Sequence, residues 1–137
     1  MKRAEHLLYV SLKYTRTGDV IDSLILRLIA SFDFVIDGLV LINEEKIKIN
    51  PASPFAKVTV LKEIYKDNDD MQNYLDFYIL LRKINRSKTK ALHEFRRNLV
   101  AISNIDGNDI EITIDIASDY YHKSVDFLRF VKKLFEK

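Results

Sequence analysis

The sequence predicts an all-α fold, an up-and-down bundle of about five helices, on three observations. Its 137 residues are 47% hydrophobic and 31% charged, which supplies one core and leaves too little chain for a second. Three glycines and two prolines are too few for the turns of an all-β fold or for a glycine-rich phosphate loop. Apolar residues recur every three or four positions over long runs, the spacing of a helix with one buried face.

The first helix is expected over residues 3–15, where Leu7-Leu8-Tyr9-Val10 is too short and too soon interrupted for a signal peptide. Thr17-Gly18-Asp19 ends it, with Gly18 suited to a C-cap and Asp19 to the next N-cap. Val20 to Ile42 is the most apolar stretch, but Asp22, Arg27, Asp33 and Asp37 interrupt it, so a central helix covered by its neighbours is expected and a membrane span is not. A polar connection follows. Ser53 then reads as an N-cap with Pro54 at the first position of a third helix that ends near Tyr65.

Lys66 to Asp70 is a loop with its own N-cap, and the apolar pattern resumes at Met71 and persists to Ile102. Asn104 to Asn108 reads as a turn. Ile110, Ile112, Ile114 and Ile116 alternate with polar residues, the pattern of a strand. Glu45 to Asn50 is the one other stretch of that kind, so a short two-stranded ribbon would pair these two segments. A last helix runs from Ser118 to Glu136, carrying Tyr121, Val125, Leu128, Val131 and Phe135 at helical spacing.

Charge carries the one functional signal. The chain has 22 basic and 20 acidic residues and a net charge of +2. Yet Arg82, Lys83, Arg86, Lys88, Lys90, Arg96 and Arg97 face a single acid, Glu94, within one stretch. The acids follow at Asp106, Asp109, Glu111, Asp115 and Asp119. Clustered arginine and lysine meet phosphate backbones, whereas a charge run taken alone is most simply a solvated helix face. On one helix over 77–102, Arg82, Arg86, His93 and Arg97 would fall within about 60° of one another, opposite Phe77, Leu81, Ile84, Leu92, Phe95 and Leu99. Asn85 to Thr89 has weak helix propensity and would break that phase if the helix stopped there.

An imidazole near its ordinary pKa of about 6.5 can move the proton of a ribose hydroxyl, and an arginine can stabilise the charge that builds on the phosphate. Arginine and histidine together therefore suit RNA cleavage without a metal. Zero cysteines remove disulfides, thiolate zinc sites and a cysteine nucleophile. No P-loop, dinucleotide fingerprint or metalloprotease signature appears, so no cofactor is expected. Asp22, Asp33 and Asp37 share a stripe on the central helix, where arginine partners are a simpler expectation than a metal.

The segment Arg86-Ser87-Lys88-Thr89-Lys90-Ala91-Leu92-His93-Glu94-Phe95 resembles the arginine-to-histidine motif of HEPN domains (higher eukaryotes and prokaryotes nucleotide-binding). A polar residue after the arginine and an aromatic shortly after the histidine belong to that pattern, and Ser87 and Phe95 occupy those places. Serine in place of asparagine or aspartate, and a six-residue spacing, stand at the edge of it. The resemblance implies a helical bundle that forms a homodimer with the motifs facing each other. It also implies RNA or nucleotide binding. Many members are endoribonucleases of toxin or defence systems, some with a nucleotidyltransferase partner, and others are non-catalytic. On that pattern Arg86 and His93 would be the catalytic pair, with Arg82, Ser87, Arg96 and Arg97 as nucleic-acid contacts. The alternative is a protein-interaction module whose basic helix face docks an acidic partner. A cytoplasmic chain acting away from membranes fits either reading.

Overall fold

A computed structural model describes residues 2–87 and 89–136. Among these residues the chain is mostly helical, with five α-helices, and adds a small three-stranded antiparallel sheet in place of the expected ribbon. Helix α1, Lys2–His6, continues through a π-helical turn at Leu7–Leu12. Arg16, with φ 54°, then turns the chain. Thr17 is the N-cap of α2, Gly18–Ile42, its hydroxyl accepting from the Val20 amide. Asp19 therefore lies inside the helix, and Gly18 is its first residue rather than a C-cap.

Ser53 caps α3, Pro54–Ile64, with Pro54 in the first turn as its missing N–H allows. Asn68 caps α4, Asp69–Arg86. The helix expected over 77–102 ends at Arg86. Ser87 is extended, and its hydroxyl bonds back to the Ile84 carbonyl at 2.8 Å, competing with the next helical turn. Beyond it, β1 (Lys90–Leu92), β2 (Val100–Ile105) and β3 (Asn108–Thr113) form the sheet in that order.

Burial along β2 has period two. Leu99, Ala101 and Ser103 are buried and their neighbours are not, while Phe95, at a core phase on the helical reading, is 70% exposed. Asp106 and Gly107 both have positive φ and join β2 to β3 in a two-residue turn, which sets Ile105 opposite Asn108 and Ala101 opposite Ile112. That short turn pairs β3 with its immediate neighbour. Glu45 to Asn50 is instead a 3₁₀ turn at Glu44–Lys46 and irregular chain. Thr113 caps α5, Ile114–Leu134, so Ile114 and Ile116 belong to a helix.

The core forms where α2, α4 and α5 meet. Phe32 stacks on Phe127 at 4.5 Å and on Tyr78 at 5.7 Å, with Phe77 edge-on at 5.7 Å. Ile21, Leu24, Leu28, Leu75, Leu81 and Ile36 fill the space around them. The buried face of the sheet, Ala101 and Ile112, closes one side of this cluster.

Candidate phosphate-binding cleft

The basic stretch is divided among three structural duties. Arg82 is held inside the fold, its Nη2 bonding both Asp33 oxygens at 2.8 and 3.0 Å and its Nε donating to the Tyr78 hydroxyl at 2.6 Å. The Tyr78 hydroxyl in turn donates to Asp33. Burial and the Asp33 carboxylate push the Tyr78 phenol up to about 12, so it stays a donor. The acidic stripe of α2 is accordingly met by basic and polar side chains: Asp33 by Arg82, Asp37 by Lys57, and Asp22 by the Thr89 hydroxyl. Lys83 pairs with Asp106.

Arg86 lies at the end of α4 with its guanidinium over the Phe55 ring at 4.9 Å. His93 lies beyond β1, on an exposed loop where its φ is 59°. A strand intervenes, rising about 3.3 Å per residue, and no hydrogen bond joins the two side chains among the described residues. The common helical face predicted for Arg82, Arg86, His93 and Arg97 is thus not formed, because the helix that would have phased them stops at Arg86. Ser87 also turns inward, its hydroxyl bonding that of buried Ser103. Lys88 falls outside the described residues.

The loop of residues 93–98 is pinned to the turn between α1 and α2. The Phe95 amide donates to the Arg16 carbonyl at 2.7 Å, and the Gly18 amide donates to Glu94 Oε1 at 3.1 Å. The Arg96 amide bonds the His93 carbonyl, and the Leu99 amide bonds that of Arg96, folding the loop on itself. Gly18 permits the approach, since a Cβ there would meet the Ala91 Cβ at 2.6 Å. The one acid of the basic stretch is therefore occupied by a backbone amide.

This docking brings Arg97 beside two cations that sequence reasoning did not select, Lys13 and Arg16. Together they line a cleft of about 540 Å³ with Tyr9, Leu99 and the first turn of α5, including Thr113, Asp115 and Ser118. None of the three cations has an ion-pair partner among the described residues. Asp115 is the single carboxylate of the lining. The Tyr9 ring, half exposed, stands edge-on to Tyr121 at 6.1 Å. The signal in the sequence was the closeness of Lys13 and Arg16 at the end of the first helix, but the side on which Arg16 stands is set by the left-handed turn there, not by helical spacing. Nothing there announces that Arg97 joins them.

Neither a family model, nor a curated protein, nor a solved structure matches the chain.

Among the described residues no group of acids and histidines is placed to hold a metal ion, and no helix is long and apolar enough to cross a membrane.

Proposed function

We propose that this domain binds RNA or a nucleotide, taking a phosphate group into the cleft bounded by Lys13, Arg16 and Arg97. The observation that carries the reading is the pinned loop: cations from segments about eighty residues apart converge on one concave surface and lack carboxylate partners there among the described residues. Their charge is thus free to compensate a phosphate. The first turn of α5 also borders the cleft, its Ile116 amide taken by the Thr113 hydroxyl and its helix dipole offset by Asp115, so the attraction for an anion comes from the three cations. Tyr9 offers a ring against which a base can lie. Arg96 and His93, exposed on the same loop, extend the basic surface beyond the cleft.

Binding rather than cleavage is proposed for this cleft, since no histidine is among its lining residues. Arg86 stacks on α3 while His93 stands on the loop, and no hydrogen bond joins them within one chain among the described residues. The docking of an acidic protein is a second reading, with one observation in its favour. Phe95, on the basic loop, is mostly exposed at a positive φ of 67°, an apolar side chain presented at some conformational cost.

Titration of labelled single-stranded RNA and of AMP and ATP, at low and at raised salt, tests the proposal. Affinity for at least one of them should fall with salt, and Arg97→Ala and Arg16→Ala should each weaken it several-fold and flatten the salt slope by about 0.7 for a single strand. Absence of binding to all three ligands at low salt would overturn the proposal and leave the protein-docking reading.

A further inference from the structure

Helix α2 is the centre of the fold, yet one stripe along it is covered by nothing. Ser23, Leu26, Arg27, Ala30, Phe34, Asp37 and Leu41 are all exposed and, apart from the adjacent Leu26 and Arg27, follow one another at three or four residues. Phe34 is 82% exposed, Leu41 67% and Leu26 51%. Three large apolar side chains on one face offer a few hundred Å² of apolar surface, against the roughly 800 Å² that each partner contributes to a standard interface. Gly38 lies beside the same stripe. A glycine inside a helix costs about 1 kcal/mol relative to alanine. Nothing within this chain calls for it: its φ is not positive, and a Cβ there would meet nothing within 4 Å.

We infer that this stripe pairs with the same stripe of a second copy of the chain, α2 against α2, antiparallel about a twofold axis level with residue 32. In an isologous contact of this kind residue i faces residue j and j faces i. For an antiparallel pair centred there, the two residue numbers sum to about 64. Phe34 then faces Ala30 of the partner subunit, Leu26 faces the partner's Gly38, and Leu41 faces the partner's Ser23. Each large apolar side chain meets a small residue, and Arg27 meets the partner's Asp37. Asp37 uses one oxygen on Lys57 and keeps a side chain more than half exposed, so its other oxygen is open to that arginine. No ion pair holds Arg27 within its own chain among the described residues.

A hollow receives the largest of these groups. Arg27, Ala30, Ser31, Phe34 and Leu128, with Arg3 from α1, surround a depression of about 410 Å³, and the partner's Phe34 enters it over Ala30. Charge, size and the unexplained glycine agree on one occupant and one register. The pairing does not rest on the phosphate cleft. It leaves the two pinned loops at opposite ends of the helix pair, about 45 Å apart along the axis, so each copy keeps its own cleft. This differs from the motif-to-motif dimer that the HEPN resemblance implies.

Sedimentation velocity on the purified chain should give twice the chain mass, and Phe34→Asp should return it to one mass with an unchanged circular dichroism spectrum. Gly38→Leu is the sharper variant, because the open space around Gly38 leaves the single chain free to fold while the partner's Leu26 is displaced. The absence of native cysteine allows the register to be read. Leu26→Cys and Gly38→Cys chains, mixed and oxidised, should cross-link to each other. Leu26→Cys alone should not, since its two copies would lie about 18 Å apart along the axis. A single mass at all concentrations, doubled mass retained by both Phe34→Asp and Gly38→Leu, or efficient cross-linking of Leu26→Cys with itself would each overturn the inference.

Discussion

Two arginines of the same basic stretch, Arg82 and Arg97, do opposite work in this molecule, and substitution separates them. Arg82 holds a carboxylate and a phenol inside the fold, while Arg97 meets no acid among the described residues. Truncating Arg82 leaves Asp33 with Tyr78 alone. Because both ion-pair partners are partly exposed, Arg82→Ala should cost about 1–2 kcal/mol in chemical denaturation and leave RNA or nucleotide affinity nearly unchanged. Arg97→Ala should do the reverse. Asp22 gives a pH signature. Burial, with the nearby Asp19 charge, raises its carboxyl above the ordinary value of 3.8, and the Thr89 hydrogen bond offsets this only in part. The folded chain therefore holds that proton more tightly than the unfolded chain, so this group's contribution to stability is greatest at low pH and is lost as pH rises through the folded value. Asp22→Asn, which can still accept from Thr89, should melt at a higher temperature than the wild type at pH 7. The difference should vanish below about pH 3.8.

At the scale of elements, the role proposed for the hairpin loop depends on α2 holding it. Its anchors are the bonds to Arg16 and Gly18 and the contact of Ala91 with a glycine that leaves room for it. Gly18→Ala forces β1 off the helix or the helix off β1, at a cost of about 1–3 kcal/mol. Hydrogen exchange should show early loss of protection at the Phe95 amide, and ligand affinity should fall with it although no cation is removed. Glu94→Gln keeps an acceptor for the Gly18 amide, so it should preserve the docking. An intermediate element, α3, was legible almost to the residue, since Ser53 and Pro54 are local signals acting within one turn. The break after Arg86 was legible as a weakness in Asn85 to Thr89. What replaced the helix was not, because Leu99 and Ile102 satisfy a helical spacing by coincidence, whereas along the strand Leu99 is buried and Ile102 belongs to the opposite face.

For the whole molecule, stability concentrates at the crossing of α2, α4 and α5 around Phe32. Phe127 is fully buried and stacks on Phe32, so Phe127→Ala should cost about 3–5 kcal/mol, a large part of what a domain of this size has in reserve. One cooperative thermal transition, shifted strongly downward, is the expected result. An unchanged melting temperature would show that the three helices do not share this core. The basic cleft lies at the other end of α2 from Asn43, so its variants should leave that transition nearly in place.

The sequence by itself determined a mostly helical chain, the cap at Ser53, an N-cap within Lys66 to Asp70, a turn within Asn104 to Asn108 and the concentration of positive charge between Arg82 and Arg97. These follow from local chemistry, where propensity, capping and charge act over a few residues. Only the tertiary structure decided which cations are spent on Asp33 and Asp106 and which remain open, and that Lys13 and Arg16 join Arg97. It likewise separated Arg86 from His93. Each of these depends on contacts between segments remote in the chain, fixed when the hairpin docks on α2, and no pattern within a helical turn encodes them.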